Sequence, residues 1–184
     1  MARSDDWRMT APRFLGIAAT VVLLDAFTKV LAVDRLVPAY VPHPVLGDWV
    51  RLTLVYNPGA AFGLHLGAYS RWIFMGLTIV ALVVMWRLYR HGPSGAPWRT
   101  WALALVTGGA FGNLVDRVRS ARGVVDFLDV GVHSWRWPTF NIADIAVSSG
   151  ALILAVVLWN EEEEKVAADR AAAEAAPPQG PAVG

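Results

Sequence analysis

TGGAFGNLVDRVRSARGVVDFLDVGVHSWRWPTFNIADIAVSS, residues 107–149, is the stretch whose reading decides the rest. It joins two apolar segments and carries Asp116, Asp126, Asp129 and Asp144. Asp126 in VVDF and Asp144 in FNIAD are flanked by apolar residues, not by the polar residues of an ordinary loop. A carboxylate in such a setting is costly unless it is paired, hydrogen-bonded or used. The rest of the chain is therefore expected to hold these two carboxyl groups together at a membrane surface.

Composition supports the membrane setting. Of 184 residues 55% are apolar or aromatic and only 17% are charged, against about a quarter charged in a soluble domain. Mean hydropathy is +0.43, and the apolar residues are clustered, as spans require. Trp72, Trp86, Trp98, Trp101, Trp137 and Trp159 stand at segment edges, where an interfacial belt places them. Net charge is +1 and Lys and Arg are scattered, so no nucleic-acid partner is expected. Absence of cysteine excludes disulfides, thiolate metal sites and a Cys nucleophile. His43, His65, His91 and His133 show no ligand spacing, and Ser148-Ser149 has no basic partner nearby, so neither a metal site nor a Ser nucleophile is expected.

Four apolar runs, about residues 14–33, 72–89, 98–118 and 141–159, predict an all-α membrane protein of four transmembrane helices. The first run is too long for the apolar core of a cleavable signal peptide and lacks a small-residue cleavage site after it. Residues 34–70 contain Pro38, Pro42, Pro44 and Pro58 and read as a long connection. Within it VRLTLVY, residues 50–56, alternates like a half-exposed strand, and a second strand is expected at 123–128. HGPSGAP, residues 91–97, reads as a short turn between antiparallel helices. Residues 1–160 form one domain on this reading. Residues 161–184 form an acidic, Ala-rich tail that extends the last helix by a few turns and ends disordered.

Four spans place both termini on one side and the two long connections on the other. Arginine and lysine counts of eight against seven barely decide which side is which. At ~1.5 Å per residue, Asp25 lies roughly 17 Å and Lys29 roughly 23 Å into the first span, and Asn113 roughly 20 Å or more into the third. Asp144 stands in the first turn of the fourth. All four therefore lie toward the face carrying the long connections, as in a site cut into one leaflet.

Asp25 and Lys29 are an i, i+4 pair, expected as a self-neutralising structural ion pair. Gly108, Gly109 and Gly112 predict close helix packing. Asn113, Asp116 and Arg117 follow at helical spacing, and Arg117 suits either a structural pairing or a substrate polar group. Asn141 and Asp144 have the N-cap and N3 spacing of a capping box, so Asp144 has a purely structural reading too. Its position at a helix N-terminus favours negative charge, whereas the apolar surroundings of Asp126 disfavour it. Two carboxyls in such unlike settings mark an acid/base pair able to activate water for amide hydrolysis. A proton or ion pathway and a structural pairing remain open on pattern alone.

Five blocks in order, LDAFTK (24–29), YNPGAAFG (56–63), GNLVDR (112–117), VVDF (124–127) and FNIAD (140–144), make the chain resemble lipoprotein signal peptidase, a bacterial four-span aspartyl protease family. The resemblance runs through about residues 14–160. It implies a catalytic dyad at Asp126 and Asp144, and substrate-positioning residues at Asn57, Asn113, Arg117 and Asn141. Asp25 and Lys29 match its first-helix polar pair, Asp116 its structural aspartate, and Asp129 no catalytic position. Ala26 and Phe27 follow Asp25 where the family usually has Asp-Gln before Thr-Lys, and Thr139 replaces a usual Ala. The resemblance further implies a diacylglyceryl-modified prolipoprotein substrate, cut before the lipidated cysteine, membrane lipids as surroundings, no cofactor and a monomer. The enzyme would sit in the cytoplasmic (inner) membrane with termini in the cytoplasm and its site extracytoplasmic, beside a small β-strand cradle. The alternatives are a proton-coupled transporter relaying through Asp25, Asp126 and Asp144, and an assembly factor whose Gly-rich third span binds a partner helix.

Overall fold

The computed structural model describes residues 7–59, 67–92 and 96–175. Residues 60–63 of the YNPGAAFG block, His65, part of the 91–97 turn and the 176–184 end of the tail lie outside them. Four helices form: α1 (Trp7–Arg35), α2 (Ser70–His91), α3 (Pro97–Arg119) and α4 (Ile142–Ala175). Each contains one of the expected apolar runs. By length and composition α1, α2 and α4 can cross a membrane. The remaining helix, α3, packs against all three others. Its surface is spent on protein, so it carries small and polar residues (Thr100, Gly108, Gly109, Gly112) where a lipid-facing helix carries Leu and Val. Outward faces of α1, α2 and α4 expose large apolar side chains such as Leu23, Phe27, Val80 and Leu152. Such continuous apolar surface belongs in hydrocarbon, not in water.

Small residues set the helix spacing. A Cβ at Gly109 would stand 2.3 Å from the Ala143 carbonyl oxygen of α4, and one at Gly112 would stand 2.6 Å from Asp25 Oδ2 of α1. The apolar packing divides between the two ends of the bundle. Phe14, Tyr89, Leu103 and Leu154 cluster at one end, with the Phe14 and Tyr89 rings stacked at 4.2 Å. At the other end Ala32 of α1 and Leu36, just past its end, pack on Leu54 and Phe127.

Those last two residues belong to a four-stranded antiparallel sheet, ordered β1 (His43–Leu46), β2 (Val50–Asn57), β3 (Val124–Val132) and β4 (Trp135–Arg136). The 50–56 strand forms, one residue longer than expected. The 123–128 strand begins at Val124 and runs on to Val132, because Asp129 and Val130 pair with Arg51 and Val50. Gly123 stays outside it as a turn residue with φ +95°, packed so close to the Asn57 carbonyl that no side chain fits. In the register Val55 faces Asp126 and Asn57 faces Val124. The sheet is thereby sealed to α1 on one side and brings β3 beside the ends of α3 and α4. The tail extends α4 past Trp159 by about four turns, to Ala175. Its first turn beyond Trp159 is held by Arg99, whose Nη1 donates to Glu161 Oε2 at 2.5 Å and whose Nη2 donates to the Leu88 carbonyl.

Candidate active site

The site forms where α1, α3, β3 and the start of α4 meet. The approach of α4 is set by residues 137–140, which return along β3: Leu128 N–H donates to the Phe140 carbonyl at 2.8 Å, and Phe140 N–H to the Leu128 carbonyl at 3.1 Å. This seats Asn141 at the head of α4 and beside Asp126. Asn141 and Asp144 then form the capping box expected from their spacing. Asp144 N–H donates to Asn141 Oδ1 at 2.9 Å, and Asn141 N–H to Asp144 Oδ2 at 3.1 Å. Capping occupies only that carboxylate oxygen. The other, Oδ1, accepts from Asn113 Nδ2 at 2.8 Å. Asp144 therefore both caps the helix and faces the cavity.

Asp126 lies across from it on β3, 2% exposed. Its Oδ1 accepts from Asn141 Nδ2 at 2.7 Å and its Oδ2 from Asn57 Nδ2 at 3.1 Å. Asn57 is oriented by its own turn, its Oδ1 accepting from Gly59 N–H at 3.0 Å. The two carboxyls are thus joined through two amides, since Asn141 Nδ2 also reaches Asn113 Oδ1 at 3.1 Å. Burial pushes the Asp126 carboxyl up to about 7, helped by the negative charge of Asp144 and opposed by the Asn57 and Asn141 amides and by Lys29. Among the described residues both direct donors to Asp126 are neutral amides, which do not carry the charge that would compensate its desolvation.

Lys29 is the hub beneath the two carboxyls. Its ammonium lies 2.7 Å from Asp25 Oδ2 and 2.8 Å from Asp116 Oδ2, and it donates to Asn113 Oδ1 at 2.9 Å. That last bond fixes which way the Asn113 amide points, leaving its Nδ2 for Asp144. Asp25 is more than a partner for Lys29. Its Oδ1 accepts from Ala143 N–H of α4 at 3.0 Å, so a carboxylate of α1 caps the helix that carries Asp144. Arg117 lies at the cavity wall, donating to the Gly59 carbonyl at 2.9 Å and to the Asn113 carbonyl at 3.2 Å. The expected positions therefore converge: Asp25, Lys29, Asn57, Asn113, Arg117, Asp126, Asn141 and Asp144 form one connected set.

Sequence reasoning missed two contributions. Asp116 Oδ2 accepts from Val125 N–H at 3.2 Å, so this residue ties Lys29 to the backbone beside Asp126. Its position three residues after Asn113, on the same face of α3, was the available signal. Asp129 fastens the sheet, accepting from Thr53 Oγ1 at 3.1 Å and from Arg136 Nε at 2.8 Å. No local pattern marks that role, because it depends on strand register.

The cavity, open on one side, measures about 510 Å³. One wall is polar, with Asn57, Asn113, Arg117, Asp126 and Asp144. The apolar part of the lining includes Trp137, Phe140, Ile145 and Val147, with Ser148 and Ser149 of α4 beside them. Such a space suits an extended chain presenting a polar bond to the carboxyls and apolar groups to the apolar lining.

Comparison with known proteins agrees with this arrangement. Residues 17–160 match the family model described as Signal peptidase (SPase) II. The lipoprotein signal peptidase of Paraburkholderia phytofirmans is 44% identical over 144 residues, covering 77% of this chain and 81% of that protein. The lipoprotein signal peptidase of Cupriavidus taiwanensis is 44% identical over 146 residues, covering 78% and 80%. A bacterial membrane enzyme solved by the in meso method at 2.3 Å superposes with a TM-score of 0.75 at 27% identity, over 84% of this chain and 92% of that one. With its apolar helices, its polar cavity and this match through most of its length, the chain belongs to the signal peptidase II family of membrane peptidases.

Proposed function

We propose that this protein is an aspartyl endopeptidase of the bacterial cytoplasmic membrane that removes the signal peptide from diacylglyceryl-modified prolipoproteins. The observation that carries the reading is the pair of carboxyls, Asp126 and Asp144, held by Asn141 and Asn113 against one cavity. In this mechanism Asp126, whose carboxyl burial raises to about 7, acts as the acid and Asp144 as the base. Asp144 draws a proton from water as the water attacks the scissile carbonyl before the lipidated cysteine. Asp126 gives its proton to the developing oxyanion, and collapse of the intermediate returns a proton to the leaving amine. Asn57, Asn113, Asn141 and Arg117 position the substrate backbone, and the apolar wall takes lipid and signal-peptide side chains. Asp25 and Lys29 are the structural pair beneath the dyad.

Residues 1–160 act as one four-span domain, with α3 as the fourth, internal span, and residues 161–184 as an appended tail. The termini lie in the cytoplasm and the sheet cradles the site at the extracytoplasmic face, where a lipidated precursor emerges. The enzyme works as a monomer. A proton relay through Asp25, Asp126 and Asp144 is not favoured, because the matched family is one of peptidases and Asp25 is committed to Lys29 and the α4 backbone. The test is cleavage of a precursor with and without its diacylglyceryl group by the wild type, Asp126→Asn and Asp144→Asn. Each variant should fold and lose cleavage, and the wild type should require the lipid. Retained cleavage in either variant would sink the dyad.

A further inference from the structure

A second cavity, about 640 Å³, lies between α1 and α3 at the end of the bundle opposite Asp126. Arg13 is ~18 Å along α1 from Asp25, at 1.5 Å per residue. The wall is chemically simple. Thr10, Thr20 and Thr100 line it, yet each hydroxyl bonds a backbone carbonyl of its own helix region: Thr10 to Trp7, Thr20 to Gly16 and Thr100 to Ala96. Apart from Arg13 the rest is apolar, with Pro12, Gly16, Ile17, Val21, Pro97, Leu105 and the exposed indole of Trp101. Arg13 is the charged group in the wall. It is exposed and has no hydrogen-bond or ion-pair partner among the described residues. The floor is open because a Cβ at Gly16 would meet nothing within 4 Å.

We infer that this groove is a binding site for an anionic phospholipid. An apolar slot between helices with one unspent guanidinium at its rim and a tryptophan beside it is complementary to an acyl chain ending in an anionic headgroup. Basic pockets between spans recognise such headgroups, and a tryptophan anchors at the same depth. Among the described residues the wall offers a polar or peptide ligand few free donors, the Arg13 guanidinium and the exposed Trp101 indole N–H, both of which suit a phosphate. The occupant is a lipid of the surrounding leaflet, and its phosphate meets Arg13 while a chain lies over Gly16.

The experiment reads bound lipid, not cleavage, so its outcome is separate from the chemistry at Asp126 and Asp144. Delipidated protein is titrated with palmitoyl-oleoyl phosphatidylglycerol or phosphatidylcholine and followed by native mass spectrometry. One arginine near a membrane surface contributes about 1 kcal/mol, which is about fivefold in favour of phosphatidylglycerol. Arg13→Gln should abolish that preference. Gly16→Leu, which places a side chain in the open groove, should remove the tightly held lipid while cleavage continues. Equal binding of the two lipids by the wild type overturns the proposal, as does a preference that survives in Arg13→Gln. So does a lipid still held by Gly16→Leu. The cysteine-free sequence permits a last arm: if Thr20→Cys crosslinks copies of the chain in phosphatidylglycerol vesicles, a second copy fills the groove and the lipid proposal fails.

Discussion

Replacing Asp126 by Asn should make the fold less sensitive to pH. The wild-type carboxyl rises from 3.8 to about 7 on folding, first through burial and then through the charge of Asp144. A carboxyl raised in this way favours the folded state when protonated. Its contribution is whole below pH 3.8, falls as pH climbs, and is gone above about 7. Over the full range that linkage amounts to on the order of 4 kcal/mol, and more than half of it falls between pH 5 and pH 8. The amide of Asp126→Asn cannot ionise, so the variant lacks this term. It has its own cost, because its NH2 must face either the Asn57 or the Asn141 amide, both of which donate to the wild-type carboxylate. That lost bond costs roughly 1–3 kcal/mol and is the same at every pH. The informative quantity is thus the change in the difference between the two proteins. Unfolding in detergent should show the wild type losing several degrees of melting temperature relative to Asp126→Asn between pH 5 and pH 8. A difference that stays constant across that interval would refute a strongly raised carboxyl at Asp126.

Three further substitutions test the scaffold. Asp116→Ala removes the acceptor shared by Lys29 and Val125 N–H and should lower stability by about 1–3 kcal/mol; cleavage should fall with it, since the strand beside Asp126 loses its anchor, and an unchanged melting temperature would exclude the role. Gly112→Val should cost about 1–3 kcal/mol by overpacking against Asp25, while Gly76→Ala in α2, where a Cβ meets nothing within 4 Å, should be neutral or stabilise by up to ~1 kcal/mol. Equal melting temperatures for these two variants would show that the Gly112 contact does not set the helix spacing.

Helix positions were legible because lipid imposes a crude rule: about 20 apolar residues must follow one another. Helix ends were not, because they obey a different rule. Residues 7–13 and 160–175 lack the hydropathy of a span, yet Ala, Glu, Lys and Arg are good helix formers, so α1 starts earlier and α4 ends later than the apolar runs. In the long connection, Pro42 and Pro44 argued against regular structure, but β1 is an edge strand, where a proline sacrifices no ladder bond. With two residues, β4 is too short to carry any period. The polar groups were placed together by arithmetic on helix rise alone. Which amide faces which carboxylate was invisible, because that depends on side-chain direction and on the return of residues 137–140 along β3.

The buried charges explain why the site needs its hub. Asp25, Asp116, Asp126 and Asp144 face two cations, Lys29 and Arg117. Lys29 contacts Asp25 and Asp116 directly, and Arg117 spends its two terminal nitrogens on the carbonyls of Gly59 and Asn113. Neither cation contacts the proposed dyad. Asp144 has the head of α4, whose backbone N–H groups favour negative charge. Asp126, on a strand, has no such field and accepts only from amides. One carboxyl on a helix terminus and one on a strand therefore stand in unequal settings before any substrate arrives, and burial raises the strand carboxyl. Had Lys29 reached either member directly, that carboxyl would have gained a fixed counter-charge and the other would have been left to take up the proton by default. Asn113 prevents this. It stands between the ammonium and Asp144, taking the bond from Lys29 on its oxygen and passing a neutral N–H onward. The hub thus orders the site without neutralising it, which is what a water-activating carboxylate requires.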